Sequence, residues 1–117
     1  MHEMGLATEI IRIVTESIPP DMANPKVARV NLKVGKLAAV VPHSLSFCFE
    51  IAAKETPADG AELIIEEIAV SARCGSCHTS WEIEEPVFQC PRCNSSDVEM
   101  LTGRELDIES IELVEDD

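Results

Sequence analysis

Cys74-Gly75-Ser76-Cys77 is followed, after twelve residues, by Cys90-Pro91-Arg92-Cys93. Two Cys-x-x-Cys steps at this separation let one turn from each close four thiolates around a single ion, most often Zn²⁺. The spacer has what a short hairpin needs: Trp81, Ile83, Val87 and Phe88 are strand- and core-forming, and Pro86 sets a bend between them. A rubredoxin-like Fe(Cys)₄ centre takes the same ligand count, so spacing leaves iron open beside zinc. A filled Cys₄ cage has no vacant position and so holds structure without hydrolysing anything. Function must come from another part of the chain.

Working outward, Ala61 to about Ser71 is rich in Ile and Val and leads into Cys74, with its alternation slipping at Glu66-Glu67 as at a bulge. Beyond Cys93, Val98 and Met100, and then Leu106, Ile108, Ile111 and Leu113, alternate with acidic residues, with a phase change at Glu109-Ser110. This pattern predicts one long strand that leaves the metal module and rejoins the sheet. Upstream, Val30, Leu32 and Val34 alternate with Arg29, Asn31 and Lys33 up to Gly35, which predicts a half-buried strand. Met4, Ala7, Ile11, Val14 and Ile18, widened by Leu6 and Ile10, form a helical stripe ended by Pro19-Pro20. Pro42 opens a second helix with Leu45, Cys48, Phe49 and Ala52 on its buried face. Cys48 reads as a core thiol, and His43 and His78 as surface or supporting residues.

The expected architecture is α+β: a small three-stranded, mainly antiparallel sheet with two helices on one face, plus an inserted Cys₄ zinc-ribbon module. Residues 1–71 with 98–117 form the main domain and 72–97 the insert. A chain of 117 residues suits one such domain.

Composition narrows the function classes. Nine Lys and Arg stand against 22 Asp and Glu, a net charge of −13, which leaves no basic face for a phosphate backbone. One Trp, three Phe and no Tyr give little for base stacking, so nucleic acid is not an expected partner. Glu3, Glu9, Arg12 and Glu16 interrupt any signal-peptide core, and no run reaches membrane-spanning length. The expectation is a cytoplasmic protein, away from membranes, in a compartment that keeps thiols reduced. With no activated nucleophile or open metal site in the pattern, it is not expected to be an enzyme.

The opening Met1-His2-Glu3 supports two readings. The bland one is a solvated histidine followed by a favourable first-turn carboxylate. In the other, the α-amine, the residue-two amide and the His2 imidazole close fused chelate rings, with Glu3 adding its amide or carboxylate. Such a nitrogen-rich set suits Ni²⁺ or Cu²⁺.

Taken together, Met1-His2-Glu3, the amphipathic helix, the strand ending in Gly35, the Leu45/Phe49-Glu50 helix and the Cys74/Cys77 plus Cys90/Cys93 ribbon resemble the HypA/HybF hydrogenase nickel incorporation family, over essentially the whole chain. The resemblance implies a nickel metallochaperone that delivers Ni²⁺ to the large subunit of [NiFe]-hydrogenase. It also implies a HypB-type nickel GTPase as partner and, in some organisms, service to urease through its accessory proteins. By the same resemblance, His2 is a nickel ligand with Glu3 and the Met1 amine beside it, and Cys74, Cys77, Cys90 and Cys93 hold structural zinc. Some members add a carboxylate near the start of the second helix; here that region reads Val40-Val41-Pro42, so no such ligand carries over.

Overall fold

The computed structural model describes residues 3–114, so Met1, His2 and the last three residues lie outside the description. Its elements run in the order α1 (Glu3–Ser17), β1 (Val27–Gly35), a 3₁₀ turn (Lys36–Ala38), α2 (Pro42–Ala52), β2 (Glu62–Ile68), β3 (Val70–Cys74), β4 (Ser80–Ile83), β5 (Val98–Thr102) and β6 (Leu106–Leu113). They build two three-stranded sheets, β2-β1-β6 and β4-β3-β5, with two helices. The chain divides into two compact units, one of Met1–Lys33, Ala39–Glu66 and Asp107–Asp117, the other of Val34–Ala38 and Glu67–Leu106.

In the first unit α1 buries Ala7, Ile10, Ile11 and Val14 and packs along α2, which buries Leu45 and Phe49. Met4 is exposed and Ile18 lies past the helix end, so the buried stripe is shorter than the sequence pattern suggested. Pro42 is the first residue of α2, where its missing N–H costs nothing. β1 buries Val30 and Leu32 here, and Val34 where it enters the second unit. Its other face carries charge: Arg29 meets Glu112 at 3.1 Å, and Lys33 meets Glu109 at 3.4 Å. Asn31 Nδ2 donates to Ser110 Oγ at 3.0 Å. One face is thus apolar and the other lined with ion pairs.

The pairs Arg29 with Glu112, Asn31 with Ser110 and Lys33 with Glu109 run in opposite chain directions, so β1 and β6 are antiparallel. Glu109 and Ser110 are both exposed, which is the phase change legible in the sequence.

Two strands expected to be single are each two. The Ala61–Ser71 segment breaks at Ala69 into β2 and β3, and the segment after Cys93 breaks between Thr102 and Leu106 into β5 and β6. In both cases the halves belong to different sheets. The irregularity at Glu66-Glu67, read as a bulge, lies just before the first of these changeovers.

Within the second unit Gly35 and Gly103 explain the second break. The Gly35 N–H donates to the Glu105 carbonyl at 2.7 Å, and a Cβ on Gly35 would overlap the Gly103 carbonyl and stand 2.5 Å from Arg104 N. Gly103 itself turns at φ 120°, and its N–H is held by the Glu105 carboxylate at 2.7 Å. The Thr102 hydroxyl donates to the Ala69 carbonyl at 2.8 Å.

Candidate metal centre

β3 is the central strand of the second sheet. It pairs antiparallel with β4 (Ala72 opposite Trp81) and with β5 (Ala72 opposite Met100, Cys74 opposite Val98). Leu101 falls at the register shift beside Ser71/Ala72. This ladder carries Cys74 to the end of the sheet, where the first knuckle begins.

The two Cys-x-x-Cys turns are near copies of each other. In the first, the Ser76 and Cys77 N–H groups donate to Cys74 Sγ at 3.3 and 3.4 Å, and the His78 N–H donates to the Cys74 carbonyl at 3.0 Å. In the second, the Arg92 and Cys93 N–H groups donate to Cys90 Sγ, each at 3.4 Å, and the Asn94 N–H donates to the Cys90 carbonyl at 3.0 Å. Each turn closes with a left-handed residue, His78 at φ 64° and Asn94 at φ 62°. His78 therefore serves the turn through its backbone while its side chain is exposed. The turns are tied together where Gly75 N–H donates to the Asp97 carbonyl at 2.8 Å and Ser76 Oγ lies 3.1 Å from Ser95 Oγ.

The four ligand atoms lie within 4.8 Å of one another, with Cys74 to Cys93 and Cys77 to Cys90 each 3.6 Å apart. A sulfur tetrahedron about an ion at roughly 2.3 Å has edges of about 3.8 Å, whereas a disulfide requires about 2.05 Å. The cysteines are free thiols at metal-cage spacing. The donor set therefore fits a tetrahedral, thiolate-loving ion such as zinc.

Protonation supports the same conclusion. The Cys77 thiol is drawn down to about 6 first by the Thr79 hydroxyl, 3.2 Å from its sulfur, and then by the Thr79 backbone N–H. Cys74 is lowered by the Cys77 N–H and, against the opposing effect of burial, by that of Ser76. At Cys93 the Ser95 N–H pulls downward, but Cys74, burial and the remaining thiols outweigh it and push the group up to about 12. The protein has prepared thiolates on one side of the cluster, and full ionisation needs a cation at the centre.

Cys74 and Cys90 are buried, Cys77 is half-buried and Cys93 is exposed. Among the described residues these four form the one cluster of metal-binding side chains at such spacing. Glu3 is the first residue of α1 and half-buried, while Met1 and His2 lie outside the described residues. Cys48 is half-buried, where a fully buried thiol was expected, because only Leu45 and Phe49 point fully into the core from α2. Thr79 and Ser95 had escaped the sequence reading; their signal is a hydroxyl residue two places after the second cysteine of each step.

Fold and site together define a small α+β protein built on a four-cysteine ribbon. The model of the family described as hydrogenase/urease nickel incorporation metallochaperone, hypA, matches residues 1–113, and the chain belongs to this family. "Hydrogenase maturation factor HypA" of Desulfosudis oleivorans is 56% identical over 115 residues, covering 98% of this chain and all of that protein. The protein of the same name from Chlorobium limicola is 43% identical over the full length of both chains. The solution structure of the Ni metallochaperone HypA from Helicobacter pylori shares the fold, with a TM-score of 0.68 at 24% identity, covering 99% of this chain and all of that one. No described helix is long and apolar enough to cross a membrane.

Proposed function

We propose that the chain is a cytoplasmic nickel carrier that takes up Ni²⁺ at its N-terminus and passes it to the large subunit of [NiFe]-hydrogenase, with a HypB-type GTPase as its nickel-handling partner. Service to urease accessory proteins belongs to the same reading. The observation that carries it is the family match from residue 1 to residue 113, which takes in the N-terminal motif and the ribbon together.

In this reading His2 is the principal nickel ligand, with the Met1 amine and Glu3 completing the set. Imidazole, amine and amide nitrogens suit Ni²⁺, and a terminus with few ligands releases metal by exchange more readily than a closed thiolate cage does. The amine has an ordinary pKa of about 7.7–8.0, and nickel must displace its proton, so uptake rises with pH through that range. Cys74, Cys77, Cys90 and Cys93 hold zinc, which when bound supplies a cross-link and no chemistry. The knuckle N–H groups stabilise the thiolates that grip it. In this reading the ribbon, whose sheet takes in β3, β4 and β5, is a module of the nickel-binding protein, and nothing in the scheme makes or breaks a covalent bond.

The test compares nickel binding by protein that begins at an authentic Met1 with protein carrying extra residues ahead of it, and with His2→Ala. Calorimetry should show one nickel equivalent lost or weakened at least tenfold in both altered proteins. Unchanged binding would remove the terminus as the site. The donor set also suits iron; a red protein with visible absorption would reassign the ribbon to a rubredoxin-like electron carrier.

A further inference from the structure

The ribbon's far end exposes what a folded chain ordinarily hides. Between β4 and Cys90 the chain runs Glu84-Glu85-Pro86-Val87-Phe88-Gln89, and Val87 and Phe88 are 56% and 43% exposed. The loop is held in shape: the Val87 N–H donates to the Glu85 carbonyl at 2.6 Å, and Gln89 Nε2 donates to the Asn94 carbonyl at 2.8 Å. A cavity of about 200 Å³ opens beside it, lined by Leu37, Ile83 and Phe88 and also by Glu84, Glu85 and Lys36.

Charge selects the occupant. The nine residues from Trp81 to Gln89 contain Glu82, Glu84 and Glu85 and no Lys or Arg. None of the three forms an ion pair among the described residues, whereas Glu99 on β5 is paired with Arg73 at 2.8 Å. An apolar tip with unpaired carboxylates around it complements a segment that presents one large aliphatic or aromatic side chain flanked by Lys or Arg. The two hydrogen bonds restrict the loop, which lowers the conformational entropy lost on docking. Its exposed aromatic and adjoining cavity match the anchor-in-pocket arrangement that concentrates binding energy.

We propose that the ribbon tip, Glu84 to Phe88 with its adjoining cavity, is a docking surface for a basic, apolar segment of a partner protein. The proposal rests on residues of the ribbon alone and does not depend on nickel uptake at the N-terminus. The carboxylates steer the segment in and fix its register, and Phe88 with the cavity supplies the contact that holds it.

The test uses the full-length, zinc-loaded chain and a synthetic peptide carrying a Leu-Phe pair between arginines. Amide shifts on titration should be confined to residues 81–89 and 36–37, with Trp81 fluorescence following the same curve. Control peptides with glutamates for the arginines, or serines for Leu-Phe, should bind at least about tenfold more weakly, as should a Glu84→Lys/Glu85→Lys variant. Raising salt should weaken the complex. Val87→Ser/Phe88→Ser should abolish it while zinc content and the remaining amide spectrum stay unchanged, since both side chains are exposed. Shifts elsewhere, equal binding of the acidic peptide, or undiminished binding by the charge-reversed variant would overturn the proposal. So would concentration-dependent dimerisation lost on Phe88→Ser, which would make a second copy of this chain the occupant.

Discussion

Gly35 sits where any side chain would drive into the Gly103 carbonyl, and both obstructing groups are backbone that no rotamer change can clear. Gly35→Ala should therefore exceed the ~1–3 kcal/mol typical of overpacking. Denaturant unfolding should show a collapse of the midpoint, whereas Gly60→Ala, with open space around it, should cost only its φ of 82°. Gly75 is confined differently, by the Asp97 carboxyl carbon 2.6 Å from where a Cβ would stand. At Cys77 the Thr79 hydroxyl helps hold the thiol near 6. Thr79→Val removes that hydroxyl and raises the thiol, so zinc has to displace a proton from Cys77 at pH values where that thiol was already ionised. The midpoint for zinc loss on acidification should consequently move to higher pH, read with a zinc-sensitive dye. The four cysteines were legible because their spacing alone encodes the knuckles. The donors that serve them were not, because a backbone N–H has no letter in the sequence, and Thr79 looks like any strand residue until its hydroxyl is seen beside sulfur.

At the scale of elements, local periodicity read β1 and the paired helices well, because each has one buried face and one wet face. It failed to separate β2 from β3 and β5 from β6. Alternation reports which side chains turn inward but not which sheet they turn into, and Ala69 and Gly103, where the chain changes sheet, interrupt the pattern only slightly. The β1–β6 pairing carries its own test. Glu112 is held below the usual carboxylate range first by the Asn31 amide and then by Arg29. A carboxylate depressed by folding stabilises the native state above its unfolded pKa of about 4.3, and that contribution disappears as pH falls through the folded value. The thermal midpoints of wild type and Glu112→Gln should differ most above about pH 5 and converge in stronger acid. A constant gap across that range would mean that packing, and not ionisation, carries the contribution of Glu112.

Across the whole molecule the two units differ in what holds them together. The first has a helix-and-sheet core of Ala7, Ile10, Val14, Val30, Leu32, Leu45 and Phe49. The second buries less: Val34, Val70, Ala72, Cys74 and Cys90 are its principal buried side chains, and two of these are thiols. A small sheet with so thin an apolar centre needs the cross-link that a metal supplies. Trp81, the single tryptophan, lies on β4 opposite Ala72 and so reports on the second unit alone. Stripping metal with a strong chelator should shift Trp81 fluorescence to the red and abolish its near-UV circular dichroism. Amide protection at Val30 and Leu32 should persist, because their burial owes nothing to the thiolates. Re-addition of zinc should restore the Trp81 signal at one equivalent per chain. If Val30 and Leu32 lose protection together with Trp81, the two units fold as one, and the ribbon is then a condition of the whole fold rather than of its own sheet.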